Sequence, residues 1–424
     1  MLDIRKIREN PDLFREKLAR RHGGDEKAID LVLALDEEIR KLKQLGESLK
    51  SERNKVSKEV GAIKAKGGDA SGIMARMKSV GDEIAQIDHG LAGKEAEIAD
   101  ILLRTPNVNH DSVPVGTSAA DNRTERVVGE PAKFEFKPKP HWELGAALGI
   151  LDFDAATKIS GSGFIVFKGQ GARLERALIN YLLDLHTTQH GYTEVSPPFL
   201  VRGESMVGTS QLPKFAEDMY RVTEEPPLYL VPTAEVPVTN LHREEILDAA
   251  KLPVRYAAYT PCFRREAGSA GKDTRGMIRV HQFDKVELVH IVKPEESYAA
   301  LELLVGHAEQ VLKNLGIHYR VVSLCTGDIG FGAAKCYDIE VWAPGVGAWL
   351  EVSSCSNFED FQARRMNLRY KNNEGKNIFC HTLNGSGTAL PRLFIALLET
   401  FQRADGHVAV PEPLRPYLGG QAEL

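Results

Sequence analysis

Apolar residues recur along this chain with two different periods, and the change of period divides it. Leu35, Ile39, Leu42, Leu45, Leu49, Val56, Val60 and Ile63 fall mostly three, four or seven apart. The run breaks at Gly67-Gly68-Asp69-Ala70-Ser71-Gly72. It resumes with Ile73, Met77, Val80, Ile84, Ile87, Leu91, Ile98 and Ile101. Heptad-like spacing on both sides of a glycine turn predicts an antiparallel helical hairpin. A first helix starting near Lys27 would reach roughly 60 Å at about 1.5 Å per residue. That is longer than a compact domain needs, so the hairpin should project into solvent. Ahead of it, Asn10-Pro11-Asp12 predicts the start of a short helix in a small cap over residues 1–21.

After residue 103 the helical period is lost. Residues 104–139 carry turn chemistry such as Asn107-Val108-Asn109-His110-Asp111 and Gly129-Glu130-Pro131, and read as a linker. A second domain over residues 140–424 opens near His141-Trp142-Glu143-Leu144-Gly145. The stretch from Gly171 to Leu183 is helical, and a proline-bearing strand follows from Val195 to Val201. Proline confines such a strand to a sheet edge, and an edge can pair with its twin under two-fold symmetry. Tyr337–Trp342 and Trp349–Ser354 flank Pro344-Gly345-Val346-Gly347 as a hairpin, with Glu351 and Ser353 expected on one face. Pro261–Val289 predicts another hairpin, with a long mobile tip from Ala267 to Gly276. Alternation puts Arg264 with Glu266, and Phe283 with Glu287. Strands outnumber helices and pair as hairpins. The fold class is therefore α+β: a two-helix coiled-coil arm over residues 1–103, plus a domain on a mixed, mainly antiparallel sheet flanked by helices.

Composition narrows the function. Lys plus Arg number 54 against 59 Asp plus Glu, a formal net charge of −5. Any nucleic-acid contact must therefore be a local basic patch. The distal first helix offers one, in Lys50, Arg53, Lys55, Lys58 and Lys64. Charged flanks of a coiled coil are commonly just solvated. Double-helical RNA, however, is read largely through shape and phosphates, which calls for reach and positive charge. The five cysteines form no C-x-x-C pair and are odd in number, so neither zinc nor a disulfide framework is expected. Without an apolar signal core or spanning segment, a cytoplasmic protein with no membrane contact is expected.

Chemistry concentrates in two places. Arg264 can grip a carboxylate or phosphate bidentately, Phe283 can stack under a flat base, and Glu287 can hold an ammonium or hydroxyl. Strand Arg and Glu residues are equally at home as solvated cross-strand pairs. Farther on, Asn384-Gly385-Ser386-Gly387-Thr388-Ala389-Leu390-Pro391-Arg392 leads into an apolar helix, placing Arg392 near an anion-attracting N-terminus. No Walker or Rossmann fingerprint is present.

The Arg264-x-Glu266 element after Phe263, together with His281-Gln282-Phe283-Asp284-Lys285-Val286-Glu287, resembles the second signature motif of class II aminoacyl-tRNA synthetases. It is most similar to the seryl-tRNA synthetase family. Residues 171–201 and 384–392 resemble the first and third motifs, and the hairpin resembles the family's tRNA-binding arm, so the resemblance covers nearly the whole chain. It implies activation of L-serine by ATP to seryl-adenylate. Transfer to tRNA(Ser) would follow, relatives also charging tRNA(Sec), in a homodimer. It assigns ATP to Arg264, Arg265, Glu266, Val280, Phe283, Glu351, Val352, Ser353, Ser354 and Arg392, with Arg264 and Arg392 catalytic. Mg²⁺ falls to Glu351 and Ser354. Serine falls to Thr233, Ala234, Glu235, Arg264, Glu287 and Ser386. Two departures from the family pattern are Gly163, where many relatives have arginine, and Pro391, where glycine is frequent. A carrier-protein-loading enzyme is disfavoured by the arm. A non-catalytic RNA-binding relative is disfavoured by the retained Arg264, Glu266, Glu287, Glu351 and Arg392.

Overall fold

The computed structural model describes residues 1–267 and 275–424 and divides the chain into two compact units, residues 2–106 and 107–424. The expected tip of the central hairpin lies mostly in 268–274, outside the described residues.

In the first unit, short helices α1 (Ile4–Glu9) and α2 (Pro11–Ala19) precede α3 (Lys27–Ala65) and α4 (Ser71–Arg104). The turn follows from its residues. Gly67 takes a left-handed φ of 73°. Gly68 N–H then donates to Ile63 O at 3.0 Å and Gly67 N–H to Lys64 O at 3.0 Å. This closes the first helix with a Schellman cap. Asp69 accepts from Ser71 N at 2.9 Å and restarts the chain. Lys43–Glu95 (2.7 Å) and Lys50–Asp88 (2.9 Å) pair across the two antiparallel helices. One seam residue differs from expectation. Leu45 is exposed, and buried Gly46 takes the seam against Ile87.

In the second unit the main sheet has eight strands. In chain order they are β1 (Arg123–Val128), β2 (Thr193–Glu194), β3 (Val254–Phe263), β4 (Gln282–Val292), β5 (Tyr319–Ser323), β6 (Lys335–Ala343), β7 (Ala348–Asn357) and β8 (His381–Ala389). The spatial order is β1-β5-β6-β7-β8-β4-β3-β2. Neighbours run antiparallel except β2 and β3. Helices α5 (Gln170–Thr188), α6 (Ser297–Leu315) and α7 (Leu390–Thr400) contribute Leu178, Leu182, Leu304, Leu312, Phe394 and Leu398 to one core with the strands. Burying such apolar faces is the main driving force for the fold.

Two expectations change here. The stretch expected as a linker is partly built into the sheet. Asn107 Nδ2 donates to Gly332 O and Phe358 O, both at 3.0 Å, and residues 123–128 form edge strand β1. The expected proline-bearing strand Val195–Val201 does not form, and the sheet edge is Thr193–Glu194, ahead of the prolines. Val195 N–H adds one bond to Ala257 O. Beyond Pro197-Pro198 the chain leaves the sheet, and Leu200–Arg202 pairs instead with Leu228–Leu230. All five cysteines are free and buried. No helix among the described residues is long and apolar enough to cross a membrane.

Candidate active site

One face of β4, β8 and β7 floors a cavity of about 330 Å³. On β4, which pairs with β3 and β8 without a break in its own alternation, Phe283, Lys285 and Glu287 face the cavity. Val286 and Leu288 face the core. The other two strands reach the cavity through bulges. In β7 the register passes from Ile339↔Ser353 to Glu340↔Glu351, leaving Val352 as the extra residue. In β8 it passes from Ser386↔Glu287 to Thr388↔Val286, leaving Gly387 extra. A bulge inserts one residue and reverses the side-chain parity beyond it.

That reversal overturns the expected pairing of Glu351 with Ser353. Glu351, Ser354 and Ser356 border the cavity. Ser353 turns away, donating to Ser386 O at 2.6 Å. Across the second bulge, Asn384, Ser386 and Ala389 border the cavity in the same way.

Arg264 and Glu266 both border the cavity, but not by strand alternation. β3 ends at Phe263, and Glu266 adopts a left-handed φ of 52°. Arg264 N–H still bonds His281 O at 2.9 Å, and Arg265 N–H bonds Asp218 O at 2.9 Å. The Arg264 guanidinium lies 5.2 Å from the Phe283 ring centroid, in cation–π range. Glu266 pairs with Arg279 on the returning segment. Thr233, Glu235 and Val280 also border the cavity, whereas Ala234 is fully buried and Arg265 is exposed. Val352 borders it at the bulge.

The charges are grouped. Glu287 is buried and pairs with Lys285 at 2.5 Å, accepting also from Asn384 Nδ2 at 2.8 Å. Glu235 accepts from Gln362 Nε2 at 2.6 Å. Burial, and then the neighbouring Glu287 carboxylate, push the Glu235 carboxyl up to about 7. Arg392, in the first turn of α7, donates to Glu351 O at 2.8 Å and to Ile278 O at 3.1 Å. Its guanidinium lies 3.6 Å from the Glu351 carboxylate. Pro391 occupies the first turn beside it, where its missing N–H costs nothing. Gly163 accepts His281 N–H at 2.8 Å, and a Cβ there would meet His281 Cδ2 at 2.6 Å.

Among the described residues, no group of three His, Cys, Asp or Glu side chains is disposed to hold a metal. Mg²⁺ does not need one. It takes one or two protein oxygens and fills its shell with phosphate and water. Glu351 and Ser354, on one strand face beside Arg392, fit that donor set.

Lys285, Asn384, Gln211 and Arg279 also border the cavity and were not expected. For Lys285 the signal was present, since the rule that pairs Phe283 with Glu287 puts Lys285 between them. The others depend on a bulge or on distant packing. On the arm, Lys50, Arg53, Lys55, Lys58 and Lys64 are all exposed on α3. Lys50 is engaged by Asp88.

The chain matches two family models, the seryl-tRNA synthetase N-terminal domain over residues 1–109 and the tRNA synthetase class II core domain (G, H, P, S and T) over residues 220–401. A serine–tRNA ligase of Akkermansia muciniphila is 57% identical over 419 residues, covering 99% of this chain and 98% of that protein. One of Methylacidiphilum infernorum is 56% identical, covering 98% and 99%. Among solved structures, the Pyrococcus horikoshii seryl-tRNA synthetase complexed with ATP is similar at a TM-score of 0.94. It is 40% identical, covering all of this chain and 99% of its own. The Naegleria fowleri cytoplasmic enzyme in complex with AMP gives 0.89 and 32%, covering all of this chain and 98% of its own. With such identity along its full length, a class II core and the matching N-terminal domain, the chain belongs to the seryl-tRNA synthetase family.

Proposed function

We propose that the cavity is the serine–tRNA ligase active site, which activates L-serine with ATP and hands the seryl group to tRNA(Ser). The observation that carries this is the convergence on one sheet face of Arg264 over Phe283, the Glu235–Glu287 pair and Arg392. In the first step a serine carboxylate oxygen bonds to the α-phosphorus of ATP, and the bond to the departing pyrophosphate breaks. Both reactants are anions, so their approach needs fixed positive charge. Arg264 bridges the serine carboxylate and the α-phosphate and steadies the charge developing on phosphorus. Arg392 holds the outer phosphates. Phe283 stacks on adenine, Glu266 accepts from its amino group, and the Val280 backbone touches its edge. Val352 flanks the nucleotide at the bulge. Mg²⁺ on Glu351 and Ser354 would neutralise phosphate charge.

Glu235 and Glu287 take the serine ammonium and hydroxyl with Thr233 and Ser386, while Lys285 balances their charge. No covalent enzyme intermediate is needed, because the substrate carboxylate is itself the nucleophile. In the second step a hydroxyl at the tRNA 3′-end attacks the seryl carbonyl, and AMP leaves. The arm carries the RNA contact through Arg53, Lys55, Lys58 and Lys64, with Lys50 available once released from Asp88. A two-fold dimer through the β2 edge, where Thr193 and Glu194 are exposed, suits the first class II motif. A cytoplasmic setting accords with this chemistry, and tRNA(Sec) is a natural second substrate for an arm that reads shape. The test is transfer of labelled serine to purified tRNA(Ser). Serine-dependent loading is expected, and loading of other tRNAs at the same rate would sink the assignment.

A further inference from the structure

The returning segment Met277–Val280, which borders the cavity, is held from outside it by a buried pair. His141 and Glu399 are both fully buried. The Glu399 carboxylate accepts from His141 N at 2.8 Å, from Gly345 N at 2.8 Å and from Val346 N at 3.0 Å. Its Oε1 also lies 2.8 Å from His141 Nδ1. On the far side of the ring, Met277 N–H donates to His141 Nε2 at 3.0 Å. That bond requires a bare Nε2, so the imidazole proton sits on Nδ1 and points at Glu399. The carboxylate thus fixes both the tautomer and the tilt of the ring that receives Met277.

One further contact binds the same segment, and another lies just ahead of it. Arg392 Nε donates to Ile278 O at 3.1 Å. Arg275 lies 4.6 Å over the Trp142 ring. Arg392 and Glu399 are two turns apart on α7 and share a face. One helix therefore holds consecutive residues of this segment twice, directly through Arg392 and at one remove through Glu399 and His141. The fit at the ring is close, since a Cβ on Gly276, whose φ is 68°, would fall 2.1 Å from His141 Nε2.

We propose that His141, oriented by Glu399, is a positioning residue for the nucleotide half of the site. It sets the place of Met277–Val280, and through Arg279 the carboxylate of Glu266. It touches neither substrate. The inference rests on the ATP reading of the cavity. Its signature is selective: ATP handling should suffer while serine handling does not, because Thr233, Glu235 and Ser386 stand on other elements. A residue that merely fills the core would instead lower stability and loosen both substrates together.

The experiment measures kcat and the KM values for ATP and serine in serine-dependent ATP–pyrophosphate exchange, with thermal melting alongside. It uses the full chain and its His141→Leu, His141→Gln and Gly276→Ala variants. His141→Leu leaves Met277 N–H unpaired, and small misplacements near reacting groups cost about 10²-fold. We expect a ~10- to 100-fold loss of kcat/KM for ATP with the serine KM unchanged. His141→Gln keeps an amide oxygen for Met277 N–H and should recover most of the loss. If His141→Leu does not fold, Gly276→Ala decides, since it pushes the same segment off the ring without emptying the core. Unchanged ATP kinetics in the folded variants would overturn the positioning role, as would equal losses for both substrates. A wild-type chain without serine-dependent exchange would instead overturn the ATP reading and the inference with it.

Discussion

Glu235 offers the sharpest quantitative test, because the fold keeps it at a cost. The carboxyl is buried against Glu287 and raised from 4.5 to about 7. That interval corresponds to about 3 kcal/mol between its protonation states. In the unfolded chain the group ionises near its ordinary value, while in the folded chain it stays neutral up to about 7. Neutrality favours the fold at low pH, and that advantage is lost as pH rises through 4.5 toward 7 and is gone above it. Glu235→Gln removes the ionisable group and leaves an oxygen to accept from Gln362. It should gain about 3 kcal/mol over the parent at pH 8 and roughly 1 kcal/mol at pH 5.5. Denaturant midpoints at the two pH values measure this. Function should move the opposite way. A serine ammonium needs the ionised carboxylate, so wild-type serine affinity should fall about tenfold per pH unit below about 7. The Gln variant should lose ~10- to 100-fold in serine KM, the worth of a charge-assisted hydrogen bond. A variant no more stable at pH 8, or a wild-type serine KM flat from pH 5.5 to 8, would refute this reasoning.

Arg264→Ala should cut serine-dependent pyrophosphate exchange by about 10²–10³-fold at unchanged melting temperature, and a loss within threefold would remove Arg264 from the bridging role. Gly46 faces Ile87 across the arm, so replacing residues 47–86 by a short Gly-Ser link closes the hairpin in register. That protein should keep pyrophosphate exchange and lose tRNA charging, and undiminished charging would reduce the arm to a structural rod. Full-length tRNA binding should weaken with salt by about 0.7–0.9 in log–log slope per phosphate contact. Sedimentation equilibrium should give twice the chain mass, and a monomer that charges tRNA would exclude the two-fold assembly.

The arm was legible because heptad spacing and a Gly-Gly turn are local signals. Gly67 and Gly68 build the cap that their sequence announces. The β3–β4 hairpin was legible for the same reason. Alternation failed where a bulge changed parity. Nothing in the residues from Glu351 to Ser354 marks Val352 as the extra one, because the bulge is set by pairing with β6. It failed again at Arg264, where the strand ends and Glu266 reaches the cavity through a left-handed backbone. Lys285 was missed although the period named it. The His141–Glu399 pair spans 258 residues, beyond the reach of any local pattern. The edge strand lies ahead of the expected range because Pro197-Pro198 lack the N–H groups to carry the ladder past Val195.

The central claim is that this cavity joins serine to ATP. The most direct measurement is ATP–pyrophosphate exchange by the purified full-length chain, supplied in turn with serine, alanine and threonine. Exchange should depend on serine. Alanine should fall short by about 10⁴, because it leaves a buried carboxylate without its hydroxyl partner. Threonine should be rejected by its extra methyl in a closed site. Exchange that runs equally well on alanine, or that needs no amino acid, would contradict the account.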